Sequence, residues 1–473
     1  MIIKKDSSAI APYLKDASNF PDGTASSVVI PDSVEELIQF LKSNTEPITI
    51  SGARTGLTAS GIPLSGTIIS MEKLKELSGP DSMGKLVSGP FVTIKNIQSH
   101  LKGSGWFYPP NPTETWASLG GTLSTNASGS RSYKWGATRN YVEEVEIVLV
   151  DGRCAKVSRG QKISSDLDFN DGSKIRFPDI NYTSPQCKNA AGFYVQPDMD
   201  WLDLFVGSDG TLCLFTKITL KTIPSPADFL SGILFLEDEE QCWNLVKEIR
   251  ESKVQEISPC ALEYFDSNSL KRLKPEFSNI SPGAMAALYF EQDIQSMDDY
   301  DRYLEAWFEF LDNMRVPLED SWFSQSDADL EKFQEFRHRL PLIINEENSR
   351  EGRVKIGTDM AVTDLHFVDL MHFYRSVLKE SGLPNVMFGH IGDNHLHINL
   401  LPDKSQMTTA KEVYEKFVDQ VLAWRGTISA EHGVGKLKKE YYHEMVGDEA
   451  LADLKTIKNC FDPDNLLGQG NLF

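Results

Sequence analysis

SLGGTLSTNASGSRSYKWGATRNYVEEVEIVLVDG, residues Ser118–Gly152, changes character partway along. About 20 residues dense in Gly, Ser, Thr and Asn run into a regular alternating segment. Connections of that length without structure of their own are usually functional or disordered. The embedded Tyr133 and Trp135, and the strand that follows, argue against disorder. The alternating run from Tyr141 turns at Asp151-Gly152 into CAKVS, which predicts a hairpin. Two shorter stretches have the same flavour. SGARTG, Ser51–Gly56, follows the strand-like PITI, and FVGSDGTLCLFTKITL places Gly207, Ser208, Gly210 and Thr211 directly before a strand. Successive backbone N–H groups in such loops can form a nest for a pyrophosphate, and glycine lets the backbone come close. A tight turn with no ligand is the alternative for any one loop. Three of them in one half of a chain suggest one large, extended, polyphosphate-bearing ligand. No GxGxxG follows a predicted strand and no Walker A sequence is present, which speaks against a nicotinamide Rossmann site and a P-loop.

The rest of the chain frames these loops. At 473 residues it is too long for one core, and about three domains are expected. SVEELIQFLKSN spaces Val34, Leu37, Ile38 and Leu41 as an amphipathic helix. The proline-broken stretch Ile223–Asp228 predicts a boundary. Beyond it, helical EEQCWNLVKEIRES and DDYDRYLEAWFEFLDNM sit between strand-like AMAALYFEQD and VKIGTDMAV, and from Thr408 the pattern is mainly helical. The class is α+β, with domains expected at 1–223, 224–425 and 426–473. Apolar residues make up 40% and charged residues 24%, as in soluble globular proteins. A net charge of −21 without a long basic run excludes nucleic acid and anionic membrane surfaces as expected partners. No apolar run approaches the roughly 20 residues of a membrane helix. The start, MIIKKDSSAIAPYLKD, lacks the apolar core of a signal peptide, so a cytoplasmic protein is expected. The six scattered cysteines form no CxxC pair; free thiols are expected, and no cysteine set for an iron–sulfur cluster.

FGHIGDNHLHINLLP, Phe388–Pro402, holds three of the nine histidines. Gly392-Asp393-Asn394 is turn chemistry between two apolar strands. A two-residue turn would set His390 opposite His397; a four-residue turn would set it opposite His395. In both registers the three imidazoles and Asn399 share one face, while Leu396, Ile398 and Leu400 face away. Such convergence suits a divalent metal. The alternatives are histidines satisfied inside a core or an acid–base relay. In SAEHGVGK, Glu431 could close a two-histidine, one-carboxylate site with open positions.

PITISGARTGLTASG, PPNPTETWASLGGTLSTNASGSRSYKWGATRNYVEEVEIVLVDG and GSDGTLCLFTKITLK resemble the FAD-binding domain of vanillyl-alcohol-oxidase (PCMH) type flavoproteins. FGHIGDNHLHIN, SAEHGVGK and FDPDNLLGQGNLF resemble the C-terminal half of one branch, the D-2-hydroxy-acid dehydrogenases of the D-lactate, glycolate-oxidase-subunit and D-2-hydroxyglutarate types. The motifs follow the family's order and cover nearly the whole chain. The resemblance implies an α+β fold: a two-subdomain FAD domain, a cap domain with a large antiparallel sheet, and C-terminal helices returning to the FAD domain. It implies non-covalent FAD, since SGARTG lacks a histidine for attachment. The cofactor would contact Ser51, Gly52, Ala53, Arg54, Thr55, Gly56, Pro110, Gly120, Gly121, Thr122, Ser124, Asn126, Gly129, Gly136, Val206, Gly210 and Glu431. A divalent metal, zinc or manganese, would sit on His390, His397 and Glu431, with His432 as general base. Arg337 and Lys355 would hold the substrate carboxylate, with Asn399 beside it and Arg339 as the register alternative to Arg337.

The implied reaction is oxidation of a D-2-hydroxy acid to the 2-keto acid. The Cα hydride passes to flavin N5, and electrons leave to a separate acceptor: an electron-transfer flavoprotein, a cytochrome or a quinone-linked protein. A homodimer fits the same picture. The alternative is a non-catalytic FAD subunit that relays electrons within a larger oxidase complex; intact His390, His397, Glu431 and His432 speak against it. Three departures from the family pattern stand out. GDNHLH replaces GDGNLH, so Asn394 stands for a turn glycine and His395 for an asparagine; His395 is assigned to orienting a ligand or the substrate. Pro341 replaces a threonine beside the substrate, and Gly468 and Gln469 stand at a C-terminal Asn-Pro.

Overall fold

Strand Val142–Val148 pairs on one side with Cys154–Ser158, through the hairpin expected at Asp151-Gly152, and on the other with Leu214–Lys221. Lys85–Ser88 and Leu77–Ser78 complete a five-stranded antiparallel sheet in the computed structural model, which describes Met1–Phe473. A second sheet runs in the order Ile2–Lys4, Ser27–Ile30, Thr67–Ser70, Ile48–Ser51, with its last three strands parallel. Helix Val34–Ser43 starts at Ser33, whose side chain accepts from the Glu36 N–H, a normal N-cap. It buries Leu37 and Leu41 between the two sheets, against Ile48, Ile69, Val148 and Leu214. These two sheets are the two subdomains expected of the FAD-binding half.

The Gly-rich stretch is not a long open loop. Leu119–Ser124 and Ser132–Trp135 are short helices, followed by a 3-10 turn at Thr138–Tyr141. Leu119 and Leu123, one turn apart, are fully buried and pin the first of these against the core. Composition hides this because the two leucines carry the packing, and the small residues between them are free to face a ligand. Arg131 and Lys134, from the same stretch, cross to the second half of the molecule. Arg131 makes a two-point pair with Glu291 (Nη2–Oε1 2.5 Å, Nε–Oε2 3.0 Å), and Lys134 Nζ lies 2.5 Å from Asp293.

That second half is an eight-stranded antiparallel sheet. Its main path is Trp322–Phe323, Asp228–Leu236, Ala286–Ile294, Ala261–Asp266, Asn385–Gly389, His395–Leu400, Ile356–Gly357, and Met360–Ala361 also pairs with His395–Leu400. Strand Asp228–Leu236 shows why it is covered on both faces. Leu230, Leu234 and Leu236 point to the side of helices Glu239–Glu251 and Tyr300–Asn313. Ile233 and Phe235 point to the side of helices Ser267–Leu273 and Asp327–Glu351. The period of two thus feeds two cores, and strand Ala286–Ile294 is buried at every position. No helix is long and apolar enough to cross a membrane, and all six cysteines are unpaired.

The C-terminal segment returns to the first half. After helix Lys439–Phe461 the chain lays Leu466–Gly468 beside Ile48, with Ile48 N–H donating to Leu466 (2.7 Å) and Gly468 N–H to Ile48 (2.9 Å). Asp462 is more than a turn residue. It is fully buried, accepts from the N–H groups of Leu466 (3.0 Å) and Leu467 (2.8 Å), and pairs with buried Lys458, which also donates to the carbonyls of Thr211 and Leu467. Removing one member of such a buried pair costs about 3–5 kcal/mol. Lys458→Met is therefore expected to lower the thermal midpoint by several degrees; an unchanged melting curve would show that the tail is not anchored there.

Candidate active site

One cavity of about 1630 Å³ runs from the glycine loops to the histidine hairpin. It exceeds the roughly 300–1,000 Å³ of ordinary ligand pockets, so it has room for a dinucleotide and a substrate together. Ser51, Gly52, Ala53, Arg54, Thr55 and Gly56 all line it, as do Gly120, Gly121, Thr122, Ser124, Gly129 and Gly210. A Cβ on Gly52 would come within 2.5 Å of Ser118 Oγ, so the first two loops touch only because this position is glycine. Four expected cofactor residues lie behind the wall instead. The side-chain oxygen of Asn126 accepts from the Arg139 N–H (3.0 Å), and the carbonyl of Val206 accepts from the Arg139 guanidinium (2.6 Å). Gly136 turns the chain at positive φ against Asn140, and Pro110 is buried. These four are not among the residues that line the cavity.

The far end of the cavity is the hairpin. Phe388 stands opposite His397, which places His390 opposite His395 across a loop of four residues, Ile391–Asn394. Of the two registers open from sequence, this is the longer turn. Asn394 closes it in the left-handed conformation (φ 54°), which asparagine tolerates better than most residues. Arg250 clamps the same turn, donating to the Gly392 carbonyl (2.8 Å) and Asn394 Oδ1 (2.6 Å). The three histidines share a face; Leu396, Ile398 and Leu400 are fully buried on the other.

Glu431 reaches this face from the segment before the last helix. Its Oε1 lies 3.2 Å from His390 Nε2, 3.6 Å from His397 Nε2 and 3.7 Å from His432 Nε2. Donor atoms of His390, His395, His397 and Glu431 all fall within 4.8 Å of one another. Burial alone would raise the Glu431 carboxyl, but Lys188 (3.2 Å) and His390 outweigh it and hold it well below the usual carboxylate range. Burial likewise opposes a charge on His390; Glu263, 2.6 Å from Nδ1, and Glu431 push it up to about 9. Neutral or metal-bound imidazoles with one nitrogen held by a carboxylate or a carbonyl are the pattern of metal ligands. His390 has Glu263 in that place, and His397 Nδ1 has the Thr358 carbonyl at 3.2 Å. The donor set fits a divalent metal.

Asp359 organises the neighbouring side. This buried carboxylate lies 3.0 Å from His432 Nδ1 and accepts from Lys438 Nζ (2.5 Å) and Ser429 Oγ (2.8 Å). Burial would raise its pKa; His432 and Lys438 hold it well below its ordinary value. His432 lines the cavity, with Nε2 unpaired except for Glu431 Oε1 at 3.7 Å. Arg337, Lys355 and Asn399 line the same space. Arg337 donates Nε to Glu263 Oε2 (3.2 Å) and keeps Nη2 without a protein partner. Lys355 is exposed and makes no ion pair. Arg339, the register alternative, is tied to Glu276 and Glu346 and does not line the cavity. Pro341 lies on the cavity wall inside helix Asp327–Glu351, and Gly468 and Asn471 reach the other end, so an asparagine two positions beyond Gln469 occupies the C-terminal wall.

Sequence reasoning missed Lys188, Glu263, Asp359 and Lys438. Two of them left a signal: Glu263 is the lone carboxylate before Asp266 in the apolar strand ALEYFD, and Asp359 the only acid in KIGTDMAV. A charge buried within an apolar segment needs a partner. Lys188 and Lys438 left none.

Comparison with known proteins agrees with this architecture. Residues 25–158 match the FAD binding domain model, and residues 225–472 match the model for the C-terminal domain of FAD linked oxidases. The chain is similar to D-lactate dehydrogenase of Anaerostipes hadrus (27% identical, covering 93% of this chain and 87% of that protein). It is also similar to glycolate oxidase subunit GlcD of Bacillus subtilis (25%, covering 98% and 92%) and to D-2-hydroxyglutarate dehydrogenase of Stutzerimonas stutzeri (23%, covering 99% and 95%). Among solved structures, alkyldihydroxyacetonephosphate synthase superposes with a TM-score of 0.68 at 14% identity, over 98% of this chain and 81% of that one, a likeness of fold. With its C-terminal half carrying the signature of these enzymes and its N-terminal half their cofactor domain, this chain belongs to the FAD-linked oxidases.

Proposed function

We propose that this protein is a dehydrogenase of D-2-hydroxy acids, using FAD and a divalent metal, zinc or manganese, on His390, His397 and Glu431. The observation that carries the proposal is the single cavity in which the cofactor loops meet the imidazole–carboxylate set. The similar proteins named above are a D-lactate dehydrogenase, a glycolate oxidase subunit and a D-2-hydroxyglutarate dehydrogenase, names that share a 2-hydroxy acid. Bound FAD would accept the hydride from the substrate Cα, and a bound metal would polarise the substrate hydroxyl. The chain's own residues do the rest. Asp359 holds His432 by Nδ1, which leaves Nε2 to take the hydroxyl proton. Arg337 Nη2 and the unpaired Lys355 meet the substrate carboxylate, and Asn399 orients it. Electrons then pass to a separate protein acceptor.

Anaerobic bleaching of the flavin against a panel of D- and L-2-hydroxy acids tests this reading. Bleaching by D-isomers, slowed by a chelator and restored by added metal, is the expected outcome. FAD-loaded protein that no 2-hydroxy acid reduces would instead mark a relay subunit of a larger complex.

A further inference from the structure

Resting on the metal site just proposed, the geometry points to His395 as a fourth protein ligand, which makes the site three imidazoles and one carboxylate. His395 is fully buried, Asp359 Oδ1 stands 3.0 Å from its Nε2, and its Nδ1 makes no hydrogen bond. An imidazole so placed carries an unmet desolvation cost unless something else engages it. Its surroundings repeat those of its two neighbours. His390 has Glu263 beside Nδ1 and turns Nε2 toward Glu431; His397 has the Thr358 carbonyl beside Nδ1 and turns Nε2 toward Glu431. His395 has Asp359 Oδ1 3.0 Å from Nε2 and turns Nδ1 toward Glu431 Oε2, 4.0 Å away. In each case one nitrogen has an oxygen behind it and the other converges on the same carboxylate, the arrangement by which outer partners aim metal-binding histidines.

The ring centroids of His395 and His397 are 4.5 Å apart, and those of His390 and His395 5.2 Å apart. His432 is the histidine left outside. It is the most exposed of the four, at 28% against 0% for His395, and its donor does not belong to the group within 4.8 Å. Asp359 therefore serves two histidines, with Oδ1 behind His395 and Oδ2 behind His432, and so couples ligand and base rigidly.

The fourth ligand has a chemical consequence. Chelation of a 2-hydroxy acid through a carboxylate and a hydroxyl oxygen takes two coordination positions. Four protein ligands leave two positions on a six-coordinate ion and none on a tetrahedral one. The site is thus built for a six-coordinate first-row ion such as Mn²⁺, with substrate completing the shell.

The test uses the FAD-loaded full chain, stripped of metal and titrated with Mn²⁺. Pulsed electron paramagnetic resonance of the wild type should count three imidazole nitrogens, and His395→Asn should count two. His395→Ala should weaken Mn²⁺ binding, read from the free-ion signal, by at least the roughly 10- to 100-fold that loss of even an outer partner costs. FAD absorbance reports whether each variant is folded. Two nitrogens in the wild type would overturn the fourth ligand while leaving the metal site standing, and so would unchanged Mn²⁺ affinity in a folded His395→Ala. Absence of any Mn²⁺ binding by the wild type would overturn the metal site itself.

Discussion

His432→Ala is expected to lower the rate of flavin reduction by a 2-hydroxy acid about 1,000-fold while FAD stays bound. A positioned base contributes roughly 100- to 10,000-fold. His432 lines the cavity, its Nδ1 is fixed by a buried carboxylate, and it is the most exposed of the four histidines around Glu431. The His432 side chain makes no hydrogen bond to the glycine loops, and its partner is Asp359, so FAD content should not fall. Stopped-flow bleaching at saturating substrate, alongside the FAD absorbance of the purified variant, checks both halves. Reduction at the wild-type rate would show that some other group, or water, removes the proton.

The second large effect falls on stability. Glu263 stands between His390 and Arg337: Oε1 is 2.6 Å from His390 Nδ1 and Oε2 3.2 Å from Arg337 Nε, with all three side chains less than a tenth exposed. Burial by itself would raise the Glu263 carboxyl, yet His390 and Arg337 hold it down to about 2. Glu263→Gln keeps the shape and deletes the counter-charge. The variant should lose about 3–5 kcal/mol at neutral pH, the usual consequence of stranding a buried charge. The pH dependence follows from the direction of the shift. A carboxyl whose folded pKa is depressed from 4.5 to about 2 stabilises the fold above pH 4.5, and that stability is lost as pH falls toward 2. Wild type should therefore lose stability across that acid window, and Glu263→Gln should lose less there because it starts without the contribution. Equal thermal midpoints at pH 7 would show that His390 and Arg337 find other partners.

Much of this molecule was legible in short-range pattern. The Asp151-Gly152 hairpin, the Val34–Ser43 helix and the shared face of His390, His395, His397 and Asn399 all follow from periodicity and turn chemistry, which depend only on neighbours along the chain. The loops at Ser51–Gly56 and Gly120–Gly129 announced themselves because close backbone approach needs small residues. Composition does not tell the inner side of a loop from its outer side: Pro110, Asn126, Gly136 and Val206, expected beside the cofactor, are not among the residues that line the cavity. Nor could local pattern separate the two turn lengths at Ile391–Asn394, which both keep the imidazoles on one face.

The α+β class, the glycine loops as cofactor candidates and the histidine face are each written in residues close together in the chain. Tertiary structure alone decided that Glu263, Asp359 and Lys188, more than 30 residues from any histidine they touch or from the carboxylate they support, make that face a site. Their roles depend on desolvated charges meeting across a sheet and between two halves of the fold. A buried charge finds its partner in space, and nothing in the local sequence specifies which partner it will be.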